Sequence, residues 1–488
     1  MSETSASVIK EDLGKGISHW HIQLFALAGA IGVGLFWSTS FSIARAGPAI
    51  LLCYAVGAVL VFMVTRALGE MAVEMPMAGS FSAYAYMYLG PKGGYITGWI
   101  YWLMWIVTGM AEITACGKFG AMLFGLGKES EWIFAFAGLL LVLFVNLRAV
   151  GVFGRIEFTL ASLKLIVVGM LFLIGIAILG FGFGVGSYER ITSPAISNIW
   201  ALEGGFMPNG WSGIALAMGI VVFSLLGCET IGVTAGETAD PMKTIPSAVK
   251  KAPFRVIICY IGSLFVILSL LQWTSIGKDS SFIVIFGDAA AMLGIPSAVP
   301  VKVMICVVLL AAFSVLNEAV YSSGRMGYTL ALQGRGPKYL GVTNQTTKIP
   351  ARGVWFSCIV MGIAVVLSIL FATDTVFEII VNVAGFAALW TWATIMIIHY
   401  KFKKEKQVKG EKSRFPMPLF PMLNILTLII VVVCYFGMAV SGDPESSVPI
   451  LVGLGCVAAL ALIYVCIGWH KDDKNFDVAK AISNTEEK

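Results

Sequence analysis

Four ionisable side chains, Glu112, Lys164, Glu229 and Glu318, lie within apolar runs that are long enough to cross a membrane. A charge inside a bilayer is costly, so such residues are functional candidates. Lys164 is predicted to couple proton movement, with a snorkelling or statically paired lysine as the alternative. Glu229 is interpreted as an acceptor for backbone N–H groups, with protonation as the alternative. Glu112 either recognises a cationic or hydroxyl group or pairs with Lys118, and Glu318 either faces a pocket, lines a gate or forms an ion pair.

Two segments have backbones that are able to bind a ligand. The first is Gly29-Ala30-Ile31-Gly32-Val33-Gly34, where glycines at alternating positions favour unwinding. Gly32 lies about 11 residues, or roughly 16 Å, into its apolar run, near the midplane of the bilayer. The second is Phe223-Ser224-Leu225-Leu226-Gly227-Cys228-Glu229, which also passes the midplane. Unwound backbone at that depth must line a cavity or be buried in protein, and a small-residue helix seam is the alternative for the first segment.

The composition excludes several classes of protein as carriers of these residues. Of 488 residues, 58% are apolar and 12% are charged, which excludes an ordinary soluble protein, a disordered chain and a nucleic-acid-binding protein with a broad basic face. The nine cysteines include no CxxC pair and indicate neither a disulfide framework nor a zinc site. No Walker motif, GxSxG or paired haem-type histidine is present, so no cofactor, no metal and no enzymatic activity are predicted.

The apolar runs predict an all-α polytopic membrane protein with 12 transmembrane helices. Residues 1–18 are polar and the first apolar run is long, so no cleavable signal peptide is expected. Most of the 33 lysines and arginines fall on the side that holds the N-terminus, which predicts that both termini are cytoplasmic. The predicted spans are 21–44, 48–73, 95–124, 131–148, 156–181, 212–235, 254–276, 300–331, 353–372, 377–400, 419–440 and 448–469.

The two break segments fall in the first and sixth spans, which correspond if the chain is divided into two sets of five. Because five is odd, the second set has the opposite orientation in the membrane, as expected of an inverted repeat. The predicted divisions are a cytoplasmic tail (1–18), repeat 1 (19–181), an extracellular loop (182–211), repeat 2 (212–400), a basic cytoplasmic loop (401–418), two C-terminal helices (419–470) and a cytoplasmic C-terminal tail (471–488).

The segment from His21 to Phe36 resembles the opening of a bacterial amino acid permease, in the amino acid transporter branch of the amino acid–polyamine–organocation superfamily. The resemblance covers roughly residues 17–400 and implies a LeuT-type 5+5 fold with broken helices 1 and 6, and amino acid uptake that is often proton-coupled. Further matching motifs are Ala46-Gly47-Pro48, Arg66-Ala67-Leu68-Gly69-Glu70-Met71, Gly79-Ser80-Phe81, Gly98-Trp99-Ile100-Tyr101-Trp102, Glu157-Phe158, Gly205-Phe206-Met207-Pro208-Asn209-Gly210, Thr234-Ala235-Gly236-Glu237, Asp240-Pro241, Thr244-Ile245-Pro246, Arg325-Met326 and Pro350.

Two positions depart from the family pattern. Asn317-Glu318 replaces the usual Asn-Ser that precedes a tyrosine, here Tyr321, and Trp37 replaces a small or aliphatic residue after the first break. The resemblance also implies that Lys164 faces the first span, where its ammonium occupies the place of a sodium ion in sodium-coupled relatives. We expect the departures at Glu318 and Trp37 to bear on the identity of the substrate.

A free amino acid is a zwitterion, and each of its charged ends needs a partner within the membrane. The N-terminus of a half-helix offers free N–H groups to the carboxylate, and the C-terminus of another offers carbonyls to the ammonium. We expect Phe223 to cover the bound substrate, or else only to pack between helices, and Ser224 to cap a broken end or to bond within its own helix. The predicted substrate-binding residues are Ala28, Gly29, Ala30, Ile31, Gly32, Val33, Gly34, Phe223, Ser224, Leu225 and Gly227.

The sequence thus predicts a multi-pass transporter of the cytoplasmic membrane that imports an amino acid by proton symport with alternating access. The alternative is an amino acid exchanger on the same fold. The predicted partners are the amino acid substrate, a proton and the lipid bilayer, and no nucleic acid is expected. The side chain of the substrate, whether neutral, cationic or that of an ω-amino acid, and the oligomeric state are left open.

Overall fold

The computed structural model describes residues 31–75, 80–148, 151–182, 190–230, 241–344, 349–471, 473 and 476. Within these residues the chain is helical and contains no strand, which confirms the predicted all-α class. The helices are α1 (Val33–Phe36), α2 (Ser38–Ala46), α3 (Ile50–Glu74), α4 (Ser80–Leu123), α5 (Glu131–Asn146), α6 (Gly151–Gly175), α7 (Gly210–Ser224), α8 (Pro241–Arg255), α9 (Ser263–Leu270), α10 (Ser281–Met292), α11 (Ala298–Leu332), α12 (Ala351–Met361), α13 (Ile363–Leu370), α14 (Thr373–Val408), α15 (Met422–Val440) and α16 (Pro444–Cys466).

Ten helical stretches of the described chain are long and apolar enough to cross a membrane. The predicted count was twelve, and the difference concerns the first, second and sixth predicted spans. Ser38–Glu74 counts as one stretch although Gly47, with φ of 59°, and Pro48 interrupt it between α2 and α3. The predicted span 212–235 corresponds to α7, which has only 15 residues, and residues 231–240 lie outside the described chain.

Two helices form the centre of the bundle and others form its rim. The apolar stretch of α4 is 94% buried and that of α14 is 83% buried, whereas the apolar stretches of α5 and α16 are each 22% buried. The rim helices expose large apolar side chains such as Phe136, Phe144 and Phe436. An apolar surface of that kind suits contact with lipid. The centre of the bundle is therefore the place for polar groups that must avoid the bilayer.

One helix of the centre is divided by a glycine. Gly90 has φ of 78° and ψ of −178°, a left-handed conformation that favours glycine, and Pro91 follows it. The segment before Gly90 is thereby turned away from the long segment that carries Trp105 and Glu112. This second segment runs through the buried centre of the bundle and presents both side chains to its interior.

A charge cluster joins the end of α2 to two distant helices. The Arg45 guanidinium lies 2.6 Å from Glu378 Oε1 on α14, and 2.7 and 2.6 Å from Asp443 Oδ2 and Glu445 Oε2 near the start of α16. Asn209 also donates from its side-chain amide to the Arg45 carbonyl at 2.8 Å. The cluster fixes α2, and with it the backbone that precedes α2, against the centre of the bundle.

Replacing Arg45 with alanine should lower the free energy of unfolding by about 2 kcal/mol, because it leaves the 3% exposed Glu378 carboxylate without its cation. Thermal unfolding of the detergent-solubilised protein would measure the effect. The matched control is Arg190→Ala, since the Arg190 pair with Asp279 is at 3.4 Å and is largely exposed, and its loss should leave the melting temperature nearly unchanged. Equal melting temperatures for the two variants would contradict this account of the cluster.

Candidate functional site

The first break segment is irregular where the structure describes it. Gly32 has non-helical φ and ψ of −130° and −148°, α1 begins at Val33, and Trp37 separates α1 from α2. A helix therefore begins directly after Gly32. Ala28, Gly29 and Ala30, which were also predicted to bind substrate, lie outside the described residues.

The second break segment begins where α7 ends at Ser224. Residues 225–229 form turns rather than helix, and Gly227 has a left-handed φ of 87°. The Ser224 carbonyl, which has no partner within a continuing helix, accepts a hydrogen bond of 2.6 Å from the Tyr260 hydroxyl. An interruption was predicted here, and the tyrosine that supports it was not.

The two segments contact each other through serine hydroxyls. Ser224 Oγ donates to the Gly34 carbonyl at 2.9 Å and lies 3.0 Å from Ser38 Oγ, which donates to the same carbonyl at 2.6 Å. A Cβ atom on Gly34 would lie 2.9 Å from the Ser224 Cα atom. Glycine at position 34 is therefore required for this close approach of the two backbones, and Ser224 bonds across the break as well as to Ile220 of its own helix.

A pocket lies between these segments and the helices α4 and α11. Its cavity volume is about 20 Å³, and phenylalanine, tryptophan and valine side chains form its apolar part. A cavity of that size holds about one water molecule, so its walls must move apart before a larger ligand can enter. The lining residues are Gly32, Gly34, Trp105, Thr108, Glu112, Phe223, Ser224, Leu226, Gly227, Val315 and Glu318.

Most of the predicted site residues that the structure describes are brought together here. Seven of them line the pocket: Gly32, Gly34, Glu112, Phe223, Ser224, Gly227 and Glu318. Four others are buried without being part of this lining, namely Ile31, Val33, Lys164 and Glu229. Leu225 is also buried, but its side chain lies against Gly57 of α3, on the side away from the lining.

Glu112 is directed at the first break segment. Its side chain is 1% exposed, its Oε1 atom lies close to Gly32, and the backbone N–H of Val33 approaches its carboxylate. Its Oε2 atom is buried and has no hydrogen-bond partner in the described part of the chain. Lys118 donates to Asp374 Oδ1 at 2.7 Å instead, so the predicted alternative of a Glu112–Lys118 pair is wrong.

Glu229 is bonded within the second break segment. Its carboxylate accepts hydrogen bonds from the Gly227 N–H at 3.3 Å, from Cys228 Sγ at 3.4 Å and from Trp392 Nε1 at 3.5 Å. These contacts are those expected of a side chain that stabilises unwound backbone. They support that interpretation over the alternative of a proton carrier.

Lys164 lies deep within the bundle, with a side chain that is 1% exposed. Its ammonium donates to Ser314 Oγ on α11 at 2.8 Å and lies within electrostatic range of Glu112. The snorkelling alternative is therefore wrong. The contact with Ser314 and the proximity to Glu112 place the ammonium between α11 and the pocket.

Sequence reasoning missed four lining residues, Trp105, Thr108, Leu226 and Val315. A signal for some of them was present, because Trp105, Thr108 and Glu112 are spaced at i, i+3 and i+7, and Val315 and Glu318 at i and i+3. Such spacing places residues on one face of a helix. The faces of α4 and α11 that carry an acidic residue could thus have been predicted as pocket walls.

Replacing Tyr260 with phenylalanine should weaken the second break segment, since the buried Ser224 carbonyl loses its donor at a cost of about 1–3 kcal/mol. We expect initial transport rates to fall roughly tenfold, with the melting temperature lowered by a few degrees. Tyr339→Phe is the control and should retain activity, because Tyr339 is 49% exposed. Undiminished transport by Tyr260→Phe would remove the role given to this hydroxyl.

Comparison with known proteins identifies the class to which this site belongs. The family model described as amino acid permease matches residues 21–480, and the chain belongs to that family. The chain is 38% identical over 466 residues to the uncharacterized amino acid permease YtnA of Bacillus subtilis, covering 95% of this chain and 96% of that protein. It is 38% identical over 440 residues to the aromatic amino acid transport protein AroP of Salmonella typhimurium (strain SL1344), covering 88% of this chain and 92% of that protein.

The chain is also 37% identical over 438 residues to AroP of Escherichia coli (strain K12), covering 88% of this chain and 92% of that protein. These relatives carry names of permeases and transport proteins rather than of enzymes. The chain is therefore a multi-pass membrane protein of an amino acid transport family, as its sequence motifs implied.

Proposed function

We propose that this protein imports an amino acid across the cytoplasmic membrane by proton symport. The observation that carries the proposal is the pocket between two non-helical segments, one ending at Gly32 and the other running from Leu225 to Glu229, in the centre of an apolar helical bundle. A zwitterion requires such a place, because free N–H and carbonyl groups there replace water around its charged ends.

In the proposed complex the carboxylate binds to the amides of Gly32, Val33 and Gly34 at the start of the outer half-helix. The ammonium binds to the carbonyls of Phe223 and Ser224, together with that of Ala28 or Gly29. Ala30, Ile31, Leu225 and Gly227 shape the unwound backbone on either side. Phe223, which lines the pocket and is 4% exposed, covers the substrate.

The proposed architecture has 12 transmembrane helices, of which the first ten form a LeuT-type 5+5 inverted repeat. Repeat 1 comprises residues 19–181 and repeat 2 residues 212–400, with both termini in the cytoplasm. Movement of one repeat against the other gives alternating access to the pocket. The contacts between Gly34, Ser38 and Ser224 join the two repeats at the point where such a movement must act.

Lys164 is the proposed proton-coupling group. Its ammonium lies beside Ser314 and in range of Glu112, which itself approaches the first break segment. When this buried amine gains or loses a proton, the net charge beside the pocket changes by one unit. Binding of substrate and proton are thereby linked, as symport requires.

The test is uptake into proteoliposomes that contain the purified protein, with a panel of neutral, cationic, aromatic and ω-amino acids. Two relatives are named for the transport of aromatic amino acids, so phenylalanine, tyrosine and tryptophan belong in the panel. We expect accumulation of at least one amino acid only when the pH gradient is directed inward. Uptake of none would overturn the proposal, and counterflow without response to a pH gradient would make the protein an exchanger.

A further inference from the structure

We propose that the pocket binds an amino acid with a second, cationic group in its side chain, and that Glu112 and Glu318 recognise that group. The inference rests on the proposed function and adds the substrate class to it. Lysine, ornithine and arginine are the amino acids with this chemistry. The binding mode of the α-carboxylate and α-ammonium is unchanged by it.

The charge of the pocket lining favours a cationic ligand. Of the eleven described lining residues, two are carboxylic acids, Glu112 and Glu318, and none is lysine, arginine or histidine, although the Lys164 ammonium lies behind the lining within electrostatic range of Glu112. A neutral amino acid is a zwitterion and adds no net charge to such a pocket. A cationic amino acid adds one positive charge to an acidic lining, which favours its entry over that of a neutral analogue of the same shape.

Among the residues that the structure describes, the buried carboxylate of Glu112 lacks a hydrogen-bond donor for one of its oxygen atoms. Its side chain is 1% exposed and lines the pocket, yet its Oε2 atom makes no hydrogen bond in the described part of the chain. A buried acceptor without a donor is unfavourable, and a ligand that brings N–H groups removes that cost. An ammonium or guanidinium supplies several such donors at once.

Glu318 supplies the second acceptor from a different wall. It lies on α11, one helical turn after Val315, whereas Glu112 lies on α4. A cation between α4 and α11 is thus approached by carboxylates from two helices.

The apolar part of the lining fits the same ligand. Trp105 and Phe223 present aromatic surfaces to the pocket, and both are at least 96% buried. The face of an aromatic ring attracts an ammonium or guanidinium, and the methylene groups of a long cationic side chain pack against it. Two carboxylates flanked by aromatic rings therefore suit a flexible chain that ends in a positive charge.

The decisive pair of probes is L-lysine and L-norleucine, which share a four-carbon side chain and differ in the terminal ammonium. In proteoliposomes with an inward pH gradient, lysine should inhibit uptake of a transported labelled amino acid at a concentration at least tenfold below that of norleucine. Equal inhibition by the two, or preference for norleucine or phenylalanine, would overturn the inference while leaving amino acid transport intact. Uptake of no amino acid would instead overturn the proposed function.

Variants assign the preference to its residues. Glu318→Gln keeps the size of the side chain and removes its charge, and it should reduce the lysine-over-norleucine preference at least fivefold. The control is Glu203→Gln, because Glu203 is exposed and its change should leave the preference as it is. A preference that is unaltered in Glu318→Gln would remove Glu318 from the recognition of the cation.

Discussion

Replacing Lys164 with alanine is expected to abolish accumulation of substrate driven by an inward pH gradient. The substitution removes the ammonium that donates to Ser314 Oγ and that lies in electrostatic range of Glu112. Without it, no titratable amine links the proton to the pocket, so the internal substrate concentration should rise only to the external one. We expect the initial rate under a pH gradient to fall at least tenfold, or about 1.4 kcal/mol in the barrier.

The measurement is uptake of labelled substrate into proteoliposomes at several imposed pH gradients. Lys128→Ala is the matched control, since Lys128 is exposed in a short turn before α5 and its variant should behave as the unmodified protein. Counterflow by Lys164→Ala, if retained, would show that the variant still binds substrate. Full gradient-driven accumulation by Lys164→Ala would mean that the coupling group is elsewhere.

Gly34→Val should abolish transport altogether. A Cβ atom at this position would lie 2.9 Å from the Ser224 Cα atom, and the two methyl groups of valine extend further into the same contact. Because the neighbouring atom belongs to the backbone, the two break segments must separate. A displacement of about 1 Å at a binding site can reduce activity about 100-fold, so we expect less than about 1% of the original rate.

The control for Gly34→Val is Gly455→Ala in α16, where an added Cβ atom would meet nothing within 4 Å. That variant should retain its rate and gain slightly in stability, because alanine is the better helix former. Gly34→Ala provides a milder version of the same test if Gly34→Val is recovered in low yield. Normal transport by Gly34→Ala would show that the close contact of the two segments is dispensable.

The helical character of the chain and the position of its irregular segments could be predicted from the sequence. Apolar runs of membrane length dictate helices, and clustered glycines reveal where a helix is weak. The non-helical Gly32 and the turn at Gly227 were both found where glycine predicted them. Ionisable residues in apolar runs were equally informative, since Glu112 and Glu318 both line the pocket.

Other parts of the site depend on contacts between distant residues, which a single sequence does not contain. The Tyr260 hydroxyl supports Ser224 across 36 residues, and Trp392 approaches Glu229 across 163. The direction of a side chain is similarly fixed by packing, as Leu225 shows by facing Gly57. The number of spans differs for another reason, since the predicted spans 21–44 and 48–73 are divided at Gly47, whereas Ser38–Glu74 is one apolar stretch that Gly47 only interrupts.

The position of Cys228 has a practical consequence. This thiol is 1% exposed, follows Gly227 of the pocket lining and donates to the Glu229 carboxylate. Any state that opens the second break segment to water exposes it, so its rate of alkylation by a water-soluble maleimide is a reporter of that opening. With the exposed Cys466 and the partly exposed Cys306 and Cys456 replaced by serine, the chain carries its own probe for following the transport cycle in time.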